Sequence, residues 1–281
     1  MTTTRADKAA ILPRKNDDSL THTDGPLNRT PRSLVIHSLP MPATIRAMSP
    51  ERPVLRARGL AKQVGSGRAR QQILAGVDLD VAAGEMVAVL GRSGSGKSTL
   101  LNLLGGLDRP DGGRVGVAGE EITGASEKTL DRIRLRRIGF IFQSFQLIEE
   151  LTGEENVLLA ARLPGAPRGG RRRAQALLAR LGVSAVASHR PHELSGGEQQ
   201  RFAIARALVN DPVLILADEA TGNLDEGSAA AVIETLGELA AEGRAVVLVT
   251  HEAQSAAAAD RVLHLVEGRL RAGREAAGPG P

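Results

Sequence analysis

The chain predicts an α/β fold: a mostly parallel sheet, a small antiparallel β subdomain and an inserted helical subdomain. Three observations carry this. Compact apolar runs of strand length alternate with helical stretches, the pattern of βαβ units. One of these runs, Glu85–Leu90, ends at a glycine-rich loop that opens a helix. Residues from about 144 to 194 carry helical periodicity and no strand-like run.

Taken in order, residues 1–53 are polar, proline-interrupted and without apolar period, so they read as a disordered tail. No apolar region follows the basic residues, which argues against a secretory signal. Met41 and Met48 stand close to the first folded residue, so a misassigned start codon and a functional tail are equally open readings. Val54–Leu60, Ile73–Val81 and Arg114–Ala118 read as short strands of the antiparallel subdomain, with a turn at Gly65–Gly67. Glu85–Leu90 suits a strand buried on both faces. Ser98–Leu107 carries Leu100, Leu101, Leu103, Leu104 and Leu107, and reads as a buried helix. Ile138–Phe142, Val213–Ala217, Ala245–Thr250 and Val262–Val266 continue the parallel sheet. Leu151–Leu163 and Arg171–Leu181 form the helical insert, joined across Pro164–Gly170. Residues 272–281 are a Gly/Pro tail.

Composition narrows the function classes. There is no cysteine, which excludes disulfides and Cys-based zinc sites. No apolar run reaches the roughly 18–20 residues that span a bilayer. If the protein works at a membrane, another chain crosses it. Net charge is +4, with much of the excess in the N-terminal tail, at Arg132, Arg134, Arg136 and Arg137, and at Arg171–Arg173. The reading adopted for these arginines is a solvated helix face. Trp and Tyr are absent and Phe occurs four times, so aromatic platforms that stack single-stranded bases are poorly supplied and no nucleic-acid partner is expected.

The loop reads Gly91, Arg92, Ser93, Gly94, Ser95, Gly96, Lys97, Ser98, Thr99. Its glycines let the backbone approach phosphate oxygens, and the helix that follows offers N–H groups to the anion. Lys97 adds a point charge, and Ser98 offers a hydroxyl to Mg²⁺. This is the phosphate loop of a P-loop NTPase core. Downstream, Val213–Ala217 runs into Asp218 and Glu219. Asp218 suits a Mg²⁺ ligand, and Glu219 suits the group that takes a proton from attacking water; in-line phosphoryl transfer needs little else beyond charge neutralisation. His251 follows Ala245–Thr250, and Gln143 follows Ile138–Phe142; both lie at carboxyl ends of strands, where ligands gather in α/β sheets.

Leu194-Ser-Gly-Gly-Glu-Gln-Gln-Arg201 opens another helical run, Gln199–Leu208. Ser195, Gly196 and Gly197 make an anion site at a helix start, and Ser195 with Glu198 also fits a capping box. A phosphate loop, this LSGG signature and the Asp218–Glu219 pair together resemble the ATP-binding subunit of an ABC transporter. The resemblance covers about residues 54–271. It implies an ATP-hydrolysing enzyme that uses ATP and Mg²⁺. It implies that His251 bonds the γ-phosphate, and that Gln143 touches Mg²⁺ or water and signals to a membrane partner. It also implies a head-to-tail homodimer in which each ATP lies between one chain's phosphate loop and the other's signature, with Asn223–Asp225 at that interface.

Three positions depart from the common family text: Glu198 where many members have Gln, Ala220 where Pro usually follows the glutamate, and Val64 where many have an aromatic that stacks on adenine. Ala220 is expected to loosen the turn after Glu219, because Pro fixes φ.

Finer text is similar to the lipoprotein-release and macrolide-export group, and within it to YbbA-like members. It comprises the Gly-Gly-Leu-Asp108 run, Gly139–Phe145, Glu155-Asn-Val157 and Ala217–Asp225. The group implies an integral-membrane permease partner and a place on the cytoplasmic face of the membrane, with no insertion of this chain. The rival readings are a soluble ABC-type ATPase not coupled to transport, and a GTPase. The first tends to have two ATPase units, coiled coils or zinc motifs, and the second an Asn-Lys-x-Asp guanine reader; this sequence has none of these.

Overall fold

The computed structural model describes residues 52–65 and 70–272. Nearly all of the expected N-terminal tail, almost all of the C-terminal tail and most of the Gly65–Gly67 turn lie outside those residues.

Two sheets organise the described chain. The smaller is antiparallel, in the order β2-β1-β4-β5, from β1 (Leu55–Val64), β2 (Gln71–Val81), β4 (Gly112–Val117) and β5 (Glu120–Glu121). The larger runs β10-β9-β3-β8-β7-β6. Its strands are β3 (Met86–Leu90), β6 (Ile138–Phe142), β7 (Leu214–Asp218), β8 (Ala245–Thr250), β9 (Arg261–Val266) and β10 (Arg269–Ala272). All its pairings are parallel except that of β9 with β10.

Strand alternation divides the core in two. Val87, Val89, Val247, Val249, Leu214 and Leu216 point to one face, against helix α1 (Lys97–Leu104) and the antiparallel sheet. Met86, Val246, Leu248, Ile215 and Ala217 point to the other, against α5 (Gly196–Leu208) and α6 (Glu226–Ala241). Burial on both faces explains why these strands read as unbroken apolar runs. Every residue of β8 is buried. The parallel strands end together, so the loops after β3, β6, β7 and β8 gather along one edge.

The helical insert consists of α3 (Gly153–Arg162) and α4 (Gly170–Arg180), packed with α5. Thr152 and Glu155 form the capping box that starts α3. An added Cβ on Gly170 would meet the Ala161 Cβ at 2.6 Å, so glycine lets α4 start tight against α3.

Several boundaries differ from the sequence reading. α1 stops at Leu104 rather than Leu107, because Gly105 and Gly106 follow and Gly106 takes φ +64°. Leu107 lies past the helix end and is exposed. α5 starts at Gly196, three residues before Gln199, because Ser195 caps it. The short β10 and the helix α2 (Glu127–Arg137) were not placed by the sequence.

The arginines of α2 are not a freely solvated face. Arg132 pairs with Glu120, Arg134 with Asp131, Arg137 with Glu120, and Arg136 donates to the Gly165 carbonyl at 2.8 Å. Arg173 is likewise tied, its Nε donating to the Val209 carbonyl at 2.6 Å.

A buried ionic cluster joins the insert to the core, away from the loop edge. The Glu242 carboxylate accepts a hydrogen bond from Arg244 at 2.8 Å on one oxygen, and its other oxygen stands 2.8 Å from Arg180 as an ion pair. Arg180 also reaches Glu238, and Arg244 reaches Asp211. Such a pair adds little relative to apolar packing, but deleting one partner costs about 3–5 kcal/mol. The cluster therefore fixes how the end of α4 sits on the end of α6.

Candidate functional site

The phosphate loop folds around its own lysine. Gly94 and Gly96 take φ +76° and +99°, where a side chain is strained. A Cβ on Gly91 would stand 2.5 Å from the Ser95 Oγ, and one on Gly96 2.7 Å from the Ile73 Cγ2. Lys97 is buried, and its Nζ donates to the carbonyls of Gly91 at 2.8 Å and Arg92 at 3.2 Å. The same Nζ is 3.2 Å from Glu219 Oε1.

Glu219 is held from both sides. Its other carboxylate oxygen is 2.6 Å from His251 Nδ1. Its backbone takes φ +48°, a left-handed conformation that costs a non-glycine residue about 1–3 kcal/mol. Three bonds around it enforce that turn. The Glu219 N–H donates to the Val249 carbonyl, and the Glu219 carbonyl accepts from Gly222 N–H. The Ala220 carbonyl accepts a buried bond from Gln200 Nε2 at 2.8 Å. Gln200 belongs to the signature helix, so α5 braces the turn at the position where family members usually have proline.

Asp218 receives the Ser98 hydroxyl at 3.2 Å. Burial pushes the Asp218 carboxyl above the usual carboxylate range; the Ser98 bond opposes this, and neighbouring Glu219 adds to it. Its charged form is thus short of compensation, as suits a carboxylate and hydroxyl that share a divalent cation. In the loop itself, the buried Ser95 Oγ has no hydrogen-bond partner among the described residues. The residues present fit both a phosphate and a Mg²⁺ ion.

Gln143 lines the same cleft, an open space of about 770 Å³ bordered also by Arg92, Ser93, Glu219, His251 and His264. Its amide lies against Gly222, where a Cβ would come within 2.8 Å of Nε2. Its carbonyl accepts from Asn223 Nδ2 at 3.0 Å. The loop after β6 is thereby stitched to the loop after β7. Phe145 and Gln146 both take left-handed φ, +60° and +55°. Arg206 of α5 donates to both of their carbonyls.

Ser195 caps α5 in a full capping box. Its Oγ accepts from Glu198 N–H at 3.3 Å, and Glu198 accepts from the Ser195 N–H and hydroxyl, each at 2.8 Å. The Ser195 hydroxyl bond holds the Glu198 carboxyl below its usual range. Gly197 is required by contact, since a Cβ would stand 2.6 Å from Ser228 Oγ. Gly196 has ordinary van der Waals room, 3.6–3.8 Å from Asn223, Leu224 and Phe145. Asp225 caps α6 by accepting from Ser228 N–H. Among the described residues, no hydrogen bond or ion pair joins the signature to the phosphate loop.

The sequence reading missed Arg206 and Gln200, which act through backbone carbonyls that no motif announces. It set aside His264, which borders the cleft because β9 pairs with β3 and brings His264 opposite Leu90. Val64, at the end of β1, is 43% exposed.

Known proteins share this arrangement. The ABC transporter family pattern matches residues 74–222. A lipoprotein-releasing system ATP-binding protein, LolD of Pseudomonas fluorescens, is 48% identical over 224 residues, which is 78% of this chain and 98% of that protein. A macrolide export ATP-binding/permease protein, MacB of Paracoccus denitrificans, is 48% identical over 234 residues, 82% of this chain. The chain spans only 35% of that longer protein. A bacterial ABC transporter cassette solved as a dimer superposes with a TM-score of 0.71 at 39% identity, covering 77% of this chain and 96% of the cassette. A dimeric post-hydrolysis state of a cassette, bound to ADP and phosphate, superposes with a TM-score of 0.72 at 38% identity, covering 80% of this chain and 99% of that one. The chain therefore belongs to the ABC transporter family, as one of its ATP-binding cassettes.

Proposed function

We propose that the chain hydrolyses ATP with Mg²⁺ and drives a separate integral-membrane permease of the lipoprotein-release or macrolide-export type. The observation that carries this reading is the Glu219 carboxylate fixed between Lys97 and His251, one residue from Asp218 on Ser98.

Gly91–Thr99 cradles the phosphates, with backbone N–H groups and Lys97 as the donors. Ser98 and Asp218 would hold Mg²⁺, which when bound would supply neutralisation of charge on the terminal phosphates. Glu219 takes the proton from the attacking water, and its strained turn keeps the carboxylate aimed. His251 holds Glu219 through Nδ1, which leaves its other ring nitrogen for the γ-phosphate. Gln143 senses the nucleotide and carries that state to the loop at Phe145 and Gln146. Gln143 would also be placed to touch Mg²⁺ or its water.

Two copies form the working unit. Gly196 and Gly197 stand against their own chain's Asn223, Leu224 and Ser228, and the signature with Ser195 is presented to a partner's ATP. The permease is proposed to seat beside Gln146 in a groove of about 310 Å³ lined by Leu135, Phe140, Phe142, Ala160 and Arg206. Phe140 and Phe142 stack there, with ring centroids 5.7 Å apart. A permease in that groove sits on the residues that answer to Gln143. Among the described residues no helix is long and apolar enough to cross a membrane, so the crossing is assigned to the partner, with this chain on its cytoplasmic face.

The test is co-purification. The tagged chain, expressed in its own cells, should bring down a multi-helix membrane protein from detergent-solubilised membranes, and EDTA should abolish the ATPase activity of the preparation. Recovery of an active enzyme with no membrane protein attached would overturn the permease assignment.

A further inference from the structure

Residues 156–192 contain seven arginines and no Asp or Glu, in a chain whose net charge is only +4. The structure divides these arginines by role. Arg173 is bonded to backbone carbonyls, and Arg180 belongs to the buried cluster with Glu238 and Glu242. The side chains of Arg168, Arg171 and Arg172 are exposed and have no hydrogen bond or ion pair among the described residues. Arg162 is exposed as well.

These four side chains cluster at the tip of the α3–α4 hairpin. Arg171 and Arg172 stand in the first turn of α4, and Arg168 lies in the turn just before its N-cap, Gly169. Leu159 and Arg162 lie i, i+3 on α3, and Leu163 is the residue that ends it. The contact of Gly170 with Ala161 brings the two helices together at this end. Leu159 and Leu163 are 41% and 47% exposed, large apolar side chains set among the arginines. The tip is also tied to the groove described above. Arg136 donates to the Gly165 carbonyl at 2.8 Å. Leu135, which lines the groove, lies 3.8 Å from a Cβ built on Gly165.

Glu155 lies within reach of the Arg162 charge, but the side chains of Arg168, Arg171 and Arg172 have no hydrogen bond or ion pair among the described residues, and with the exposed leucines they match an anionic lipid surface. Guanidinium groups pair with headgroup phosphates, while their stems and the leucines lie in the interfacial layer. A simply solvated basic face has no need of the leucines. We propose that the α3–α4 tip adsorbs to anionic lipid headgroups beside the permease. The location rests on the permease reading, but the lipid contact requires neither permease nor ATP.

Sedimentation of the full chain with vesicles tests this. Wild type should bind vesicles of phosphatidylcholine with phosphatidylglycerol, release them at high salt, and ignore phosphatidylcholine alone. The combined variant Arg168→Gln, Arg171→Gln, Arg172→Gln should lose roughly a hundredfold in binding, the effect of three basic groups at such a surface. A control variant, Arg114→Gln, Lys128→Gln, Arg269→Gln, removes the same charge from exposed positions elsewhere and should bind like wild type. The double variant Leu159→Gln, Leu163→Gln should weaken binding with the charge unchanged. Basal ATPase activity should survive in all of them. Wild-type binding by the tip variant, equal loss in tip and control variants, or no binding by wild type overturns the assignment. Retained vesicle binding with lost permease-stimulated hydrolysis also overturns it, and assigns the patch to the permease.

Discussion

Glu219→Gln should leave ATP binding intact and cut steady-state hydrolysis by roughly 10²–10⁴-fold, the contribution of a positioned general base. The amide keeps the shape and can still bond His251, so the turn at φ +48° is retained. It cannot take a proton from water. It also removes the negative partner 3.2 Å from Lys97, which leaves the lysine freer for phosphate. Bound ATP should therefore persist, and the protein should accumulate as a nucleotide-dependent dimer on size exclusion. Turnover near the wild-type rate in the purified variant would remove Glu219 from the chemistry.

Lys97→Ala should act on binding instead. Its Nζ organises the loop through Gly91 and Arg92 as well as facing Glu219. Each charge-assisted bond is worth about 1.5–3 kcal/mol, so the loss of one such bond to phosphate weakens ATP by roughly 10- to 150-fold. Titration with a fluorescent ATP analogue measures this. The same variant leaves the Glu219 carboxylate, only 14% exposed, without its cation. Affinity equal to wild type would mean that the lysine serves the loop and not the nucleotide.

The fold was legible where burial imposes a pattern. β6 and β8 were placed to the residue because strands buried on both faces leave continuous apolar runs bounded by polar sequence. α2 escaped because its eleven residues bury only Leu130 and Ile133, too few for a visible period. β10 escaped because it is four residues of mostly exposed edge. The loop, Asp218, Glu219 and His251, which the structure brings together, stood out as candidates because phosphate chemistry restricts residue type and spacing. The braces were not. Arg206 holds the loop at Phe145 and Gln146, and Gln200 holds the turn after Glu219, both through carbonyls that any residue supplies. Ala220 at a proline position suggested a loose turn from sequence alone; the Gln200 bond that supports it is visible only once α5 is folded against β7. The tip arginines taught a similar lesson. Sequence placed Arg132 and Arg171 in one class, yet the first is paired with Glu120 and the second is free among the described residues.

A crosslink distinguishes an ATP enclosed by two copies of the chain, as proposed, from one held by a single copy. The chain has no cysteine, so single substitutions Ser93→Cys and Gly196→Cys can each be introduced cleanly on the Glu219→Gln background. Ser93 is exposed on the phosphate loop, and Gly196 has room for a Cβ, unlike Gly197. The two variants are mixed, ATP and Mg²⁺ are added, and a mild oxidant is supplied. A disulfide needs the two Cα atoms within about 7 Å. A shared site gives a covalent dimer in the mixture that depends on ATP and is absent when either variant is oxidised alone. A mixture that stays monomeric under denaturing electrophoresis, while ATP binding is intact in both variants, would contradict the shared site.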